Sequence, residues 1–252
     1  MAVQLQHQVA LITGASRGLG RAIAQRFAAE GARVIVADLK EQWAQVVSKE
    51  IEHGGGEAMA FGADLSSREA VAALIQAGQA RFGRIDIVVN NAMWNRYEPI
   101  DAIEPETLTR MLGIGFNAIV WTVQLVAPLM RSQGGGSIIN IASVAALRGL
   151  PNAMLYCGIK AGVTGLTRSA AVELGAHRIR VNAIAPSTVS TEGVRAMLSE
   201  EVLAARAERT PLRRLGEVGD MTSAAVFLAS KESAFVTGQV LTVDGGLTCL
   251  AV

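Results

Sequence analysis

"LITGASRGLGRAIA", residues 11–24, is the stretch whose reading decides the fold. Its start closes an apolar run, "QVALITG" (8–14), that suits a buried strand. Its end opens an amphipathic helical stretch that closes near Gly31, a plausible C-terminal glycine for a helix. Between the two stand Gly14, Gly18 and Gly20. Side chains at these places would keep a pyrophosphate away from the backbone. The helix start adds free N–H groups and a partial positive charge of about half a unit. Glycines so placed between a strand and a helix point to a bound dinucleotide.

Outward from this turn, short apolar runs alternate with helical stretches. The further runs are "RVIVAD" (33–38), "EAMAFGAD" (57–64), "IDIVVNN" (85–91), "GSIINIAS" (136–143), "IRVNAIAPS" (179–187) and "GQVLTVDGG" (238–246). Several are nearly continuous Val, Ile and Ala, the pattern of strands buried on both faces. Strand–helix alternation requires crossover connections and a mostly parallel sheet. The loops "EHGGGE" (52–57) and "SQGGGS" (132–137) are too short to part domains. The expected architecture is α/β: a single-domain, Rossmann-like, doubly wound fold over residues 1–252, with a mostly parallel seven-stranded sheet and helices on both faces.

Composition narrows the function. Half of the 252 residues are apolar, and the formal charge is +1. No basic field is available for nucleic acid. Cys157 and Cys249 suit no zinc spacing and read as free thiols in a reducing compartment, so no metal is expected. The start "MAVQLQHQVALITG" lacks a basic region and a cleavage site. No apolar stretch approaches about 20 residues without Gly, Pro or charge, so no membrane span is expected. A cytoplasmic protein follows.

The second strand ends in Asp38. A carboxylate there accepts both adenosine ribose hydroxyls and repels a 2′-phosphate, which favours NAD. Arg17 in the glycine turn argues for NADP, because a guanidinium could hold that phosphate. NAD is the expected cofactor, with NADP possible. Asp64-Leu65 ends the third run and could accept from the adenine amino group; Asn90-Asn91-Ala92 ends the fourth. Turn formation at a strand end would explain both equally well.

Ser143 ends the fifth run, and "YCGIK" (156–160) follows in a helical stretch. Tyr156 and Lys160, four apart, share a helix face. Both can point into the crevice at the carboxyl ends of the strands, where open α/β sheets bind ligands. A tyrosine ionises near pH ~10; bringing it near 7 needs about 4 kcal/mol. A close ammonium, helped by an oxidised nicotinamide, supplies that order of energy in a desolvated site. Ser143 would then hold the substrate oxygen.

These residues carry a resemblance. Over essentially its whole length the chain resembles the short-chain dehydrogenase/reductase family, through "TGASRGLG", "NNA", the Ser143–Tyr156–Lys160 spacing, "VNAIAPS" and "TGQVLTVDGG" in order. The resemblance implies a nicotinamide cofactor and commonly a homotetramer. It assigns Tyr156 as acid/base, Lys160 to the phenol's pKa and the nicotinamide ribose, and Ser143 to the substrate oxygen. It further places Ser16, Leu19, Leu39, Asn91, Ala92, Pro186, Val189 and Thr191 against the cofactor. Three residues depart from the family pattern: Met93 and Ser187 each replace a glycine, and Gly115 replaces a catalytic asparagine. Asn117, about 200° further round a helix, does not substitute for it. That asparagine helps to fix a helix irregularity and a water leading to the lysine. A glycine still permits the irregularity, with its carbonyl free to hold the water.

Met93, Trp94, Ala145, Leu150, Met154, Val189 and Met197 are the candidate substrate wall. They are mostly apolar, with no obvious Arg or Lys cluster for an anion, so a neutral secondary alcohol or ketone is expected. "PSTVSTEG" (186–193) is similar to family members that oxidise aryl and pyridoxal-type alcohols. An acyl-carrier-protein-linked 3-oxoacyl group or a sugar are alternative substrates. The helix-rich segment near 187–215, with Gly193, reads as a lid. Two other functions stay open: a catalytically silent nucleotide-binding sensor or scaffold, and an isomerase that parks a hydride transiently.

Overall fold

A computed structural model describes residues 3–250. The ends of the expected 1–252 domain, and the first residues of the N-terminal stretch judged to be leaderless, lie outside them. The strands are β1 (Val9–Thr13), β2 (Arg33–Asp38), β3 (Ala58–Gly62), β4 (Ile87–Asn90), β5 (Gly136–Ile141), β6 (Ile179–Pro186) and β7 (Val240–Val243). They form one sheet in the order β3-β2-β1-β4-β5-β6-β7, and every pairing is parallel. Each falls within a run read from the sequence.

Burial on both faces explains the apolar runs. Along β1, Ala10 and Ile12 face one core with Ile23 and Phe27, while Val9 and Leu11 face another with Leu74 and Val126. All of these are fully or almost fully buried. Each large apolar side chain so buried contributes about 1.5–3 kcal/mol. Helices α1 (Gly18–Ala29), α2 (Glu41–His53) and α9 (Val218–Ala229) cover the first face. Helices α3 (Arg68–Phe82), α5 (Ala118–Ser132) and α6 (Met154–Leu174) cover the second. α1 ends as expected, with Gly31 at φ +85° just past Glu30.

β1 pairs with both β2 and β4, so the direction of winding reverses there. That reversal opens the crevice in which such sheets hold ligands. Asn182 ties the last strands together: its amide donates to the Val236 carbonyl at 2.9 Å and its oxygen accepts from Gln239 N at 3.0 Å. Arg180 donates to the Leu228 carbonyl at 2.7 Å, a cation against the C-terminal end of α9.

One helix bears on the expectation of no membrane span. The helical run Pro105–Ser132 is 28 residues long and contains an 18-residue window of mean hydropathy 1.6, enough by length and composition alone to cross a membrane. The helix continues through Gly113, Gly115 and Pro128, which the sequence reading took as interruptions. It lies against the sheet, with Ile119, Thr122, Val126 and Met130 buried. Its outer side borders a groove of about 400 Å³ between α5 and α6.

Candidate active site

The glycine turn is held from beneath. Gly14 leaves β1 at φ +62°, and a Cβ there would lie 2.8 Å from Ala92 Cα. At Gly20 a Cβ would run into the Gly14 carbonyl and come within 2.5 Å of Asn91 Nδ2. Asn91 donates its amide to the Thr13 and Gly14 carbonyls at 2.9 and 3.0 Å. The Thr13 hydroxyl accepts from the N–H groups of Asn91 (3.0 Å) and Ala92 (3.1 Å). Asn91 thus braces the turn. Thr13, which the sequence reading did not single out, is its partner. α1 starts beyond Arg17 without a side chain capping it, which leaves its first N–H groups facing the turn.

Asp38 sits at the rim of this cradle. Its carboxylate accepts from Ser16 N at 3.0 Å and from Leu39 N at 2.8 Å. Arg17 and Leu39 are exposed beside it, and Leu19 packs partly into the core. Asp64 accepts from both the N–H and the hydroxyl of Ser66, the strand-end turn that also explained its presence, and Leu65 is buried. Asn90 turns inward: its amide donates to Asn140 at 2.8 Å, and Asn140 donates to Thr167. It belongs to the interior. Pro186 ends β6, buried Val189 bridges to Gly216, and Thr191 lies near Gly18. Glycine at 14 and 20 lets the turn pack directly on Asn91 and Ala92, and the first N–H groups of α1, uncapped by any side chain, fit the phosphates of a dinucleotide.

Ser143, Tyr156 and Lys160 come together beyond the ends of β4 and β5. Ser143 is buried and its hydroxyl accepts from Ala145 N at 3.1 Å. Lys160 is 4% exposed and donates to the Ile141 carbonyl at 2.6 Å. Its Nζ lies 5.8 Å from the centroid of the Tyr156 ring. Burial pushes the Lys160 ammonium down to about 8. Burial also pushes the Tyr156 phenol above its ordinary value, and the Ser143 hydroxyl pulls it back. The expected lowering of the phenol joins Lys160 to an oxidised nicotinamide, and the protein's own groups do not supply it. In the protein by itself the cost of desolvation wins, and the lysine spends its short hydrogen bond on a backbone carbonyl.

Two of the departures meet in space. Residues 113–117 form a π turn between α4 (Pro105–Leu112) and α5, so the helix irregularity persists with glycine at 115. A Cβ on Gly115 would lie 2.5 Å from Met93 Sδ and 3.1 Å from Ile159 Cγ2. The Met93 thioether therefore occupies the room a side chain at 115 would need, rather than simply lining a substrate wall. Trp94 is likewise drawn aside, its ring under Arg110 at 4.1 Å. Ala145 is buried, whereas Leu150, Met154 and Met197 are exposed. Tyr97 was not foreseen: its ring meets Tyr156 edge-on at 5.6 Å, and burial pushes its phenol up to about 12.

A family model described as enoyl-(acyl carrier protein) reductase matches residues 14–248. The chain is 37% identical to the 7alpha-hydroxysteroid dehydrogenase of Escherichia coli K12, over 97% of this chain and 95% of that protein. It is 39% identical to the L-rhamnose 1-dehydrogenase (NAD(P)(+)) of Azotobacter vinelandii, over 94% and 95%. A solved 7 alpha-hydroxysteroid dehydrogenase complexed with NADH and 7-oxo glycochenodeoxycholic acid superposes with a TM-score of 0.93 at 37% identity, covering 97% of this chain and 96% of that one. The chain belongs to the short-chain dehydrogenase/reductase family. It is an NAD(P)-dependent oxidoreductase acting on the CH–OH group of donors.

Proposed function

We propose that the protein interconverts an apolar or aryl secondary alcohol and its ketone, with NAD preferred over NADP. The observation that carries this reading is the convergence of Ser143, Tyr156 and buried Lys160 beside the glycine cradle. Gly14, Gly20 and the start of α1 take the phosphates, and Asp38 takes the ribose hydroxyls. When bound, the nicotinamide supplies or accepts a hydride and, oxidised, adds positive charge that favours tyrosinate. Ser143 orients the substrate oxygen. Tyr156 takes the hydroxyl proton in oxidation and returns it in reduction, and Lys160 stabilises the ionised phenol from behind. Segment 187–215, with α7 (Glu192–Met197) and α8 (Glu200–Arg209), closes over the site as a lid.

Family relationships extend to hydroxysteroid and sugar oxidation, which keeps the substrate itself a matter for assay. The test is absorbance of the reduced cofactor with paired aryl alcohols and ketones. Turnover of the aryl members with NAD supports the reading. Turnover confined to sugars, or to acyl-carrier-protein thioesters, refutes it. A homotetramer is part of the same proposal, supported by the apolar groove between α5 and α6 and by fully exposed Phe235 and largely exposed Val172. Sedimentation as a monomer would refute it. A cytoplasmic setting is supported by two free cysteines.

A further inference from the structure

After β6 the chain runs through Thr188, Val189 and Ser190, and successive side chains of an extended segment point to opposite sides. Val189 turns into the core, 8% exposed. Thr188 and Ser190 therefore share the other side, and each holds a guanidinium. Arg206 Nη1 donates to Thr188 Oγ1 at 2.9 Å, and Arg195 Nε donates to Ser190 Oγ at 2.7 Å. The sequence reading found no such cluster, because the two arginines come from different helices of the lid.

The two cations have different surroundings. Arg195 has Glu200 at 4.0 Å. Arg206 has no carboxylate within ion-pair distance among the described residues. Arg195 lies at the Thr191 end of the segment, toward Gly18 and the phosphate turn. Arg206 is held by Thr188, two residues past the end of β6, and its charge pulls the Tyr97 phenol's pKa downward, against the larger upward push of burial. Tyr97 in turn covers Tyr156. A guanidinium fixed by a hydroxyl on the segment leaving β6, with no carboxylate at ion-pair distance among the described residues, is a ready receptor for a carboxylate.

We infer that Arg206 sets substrate specificity: the substrate carries an anionic group, a carboxylate, that Arg206 receives while its carbonyl lies at Ser143 and Tyr156 and its apolar body lies along Tyr97. The inference rests on the function proposed above and replaces a wholly neutral substrate with an apolar ketone bearing an acid. It is tested with the complete protein and NADH on benzoylformate and 3-benzoylpropanoate, each against its methyl ester. The expected result is a kcat/KM for at least one acid tenfold or more above that of its ester. Arg206→Ala then lowers that acid-to-ester ratio at least tenfold, and Arg206→Lys retains most of it. A merely structural role would lower both members together and leave the ratio unchanged, which would overturn the inference. Equal use of acids and esters by the unaltered protein overturns it too, while leaving the proposed activity standing. Turnover of neither acids nor esters removes the proposed activity and the inference with it.

Discussion

Met93 and Gly115 give the most searching prediction, because the sign of one substitution should depend on the other. A methyl group at 115 would lie 2.5 Å from Met93 Sδ and 3.1 Å from Ile159 Cγ2. Moving a thioether aside is cheaper than moving backbone, so the overpacking cost falls at the low end, about 1–2 kcal/mol. Replacing a helical glycine by alanine returns up to about 1 kcal/mol of backbone entropy. Gly115→Ala alone should therefore destabilise by about 0–2 kcal/mol. With Met93→Ala already in place the clash with sulfur is gone, and the same change should stabilise by up to about 1 kcal/mol. The coupling energy of the cycle is about 1–2 kcal/mol. For a chain of this size each kcal/mol moves Tm by about 2–4 °C, so calorimetry on the four proteins at one concentration resolves it. If Gly115→Ala shifts Tm equally in both backgrounds, Met93 does not fill the space of the missing side chain.

Asp38→Ala should raise the NADP-to-NAD ratio of kcat/KM at least tenfold, about 1.4 kcal/mol of relieved repulsion; an unchanged ratio places the carboxylate away from the ribose. Asn91→Ala removes the donors to the Thr13 and Gly14 carbonyls and should cost about 1–3 kcal/mol, with weaker NAD binding by fluorescence titration; unaltered Tm and affinity would show that the turn does not need its brace. The third concerns pH and the protein without cofactor. Lys160 titrates near 10.5 in the unfolded chain and at about 8 when folded, so between these values the unfolded state binds the extra proton. Stability contributed by this group therefore rises with pH above 8, by no more than about 3–4 kcal/mol. Above pH ~10 the phenols of Tyr97 and Tyr156, shifted upward, reverse the trend. Denaturant midpoints across pH 7–10 should climb, and Lys160→Met should flatten the climb; identical profiles refute it.

Much of the fold was legible because strands buried on both faces leave unbroken Val and Ile runs, as "RVIVAD" does for β2. The cradle was legible because only glycine lets Gly20 approach the Gly14 carbonyl. Tyr156 and Lys160 were legible because they share one helix face. What remained hidden depends on contacts between distant loops. Tyr97 reaches Tyr156 from an irregular segment, and Arg206 meets Thr188 across the lid; neither spacing has a period. Asn91 was recognised as important, but only the structure shows its amide spent on the turn. The spacing of Tyr156 and Lys160 did not reveal the desolvation of both groups, which appears only once the site is enclosed.

The central claim is that Tyr156 carries the substrate proton beside buried Lys160 and a bound nicotinamide. Single-turnover rates of Tyr156→Phe, measured together with its NAD affinity, test it most directly. Loss of at least about 10²-fold in rate with affinity essentially retained is the expected result. A Tyr156→Phe protein that turns over at the unaltered rate would contradict it.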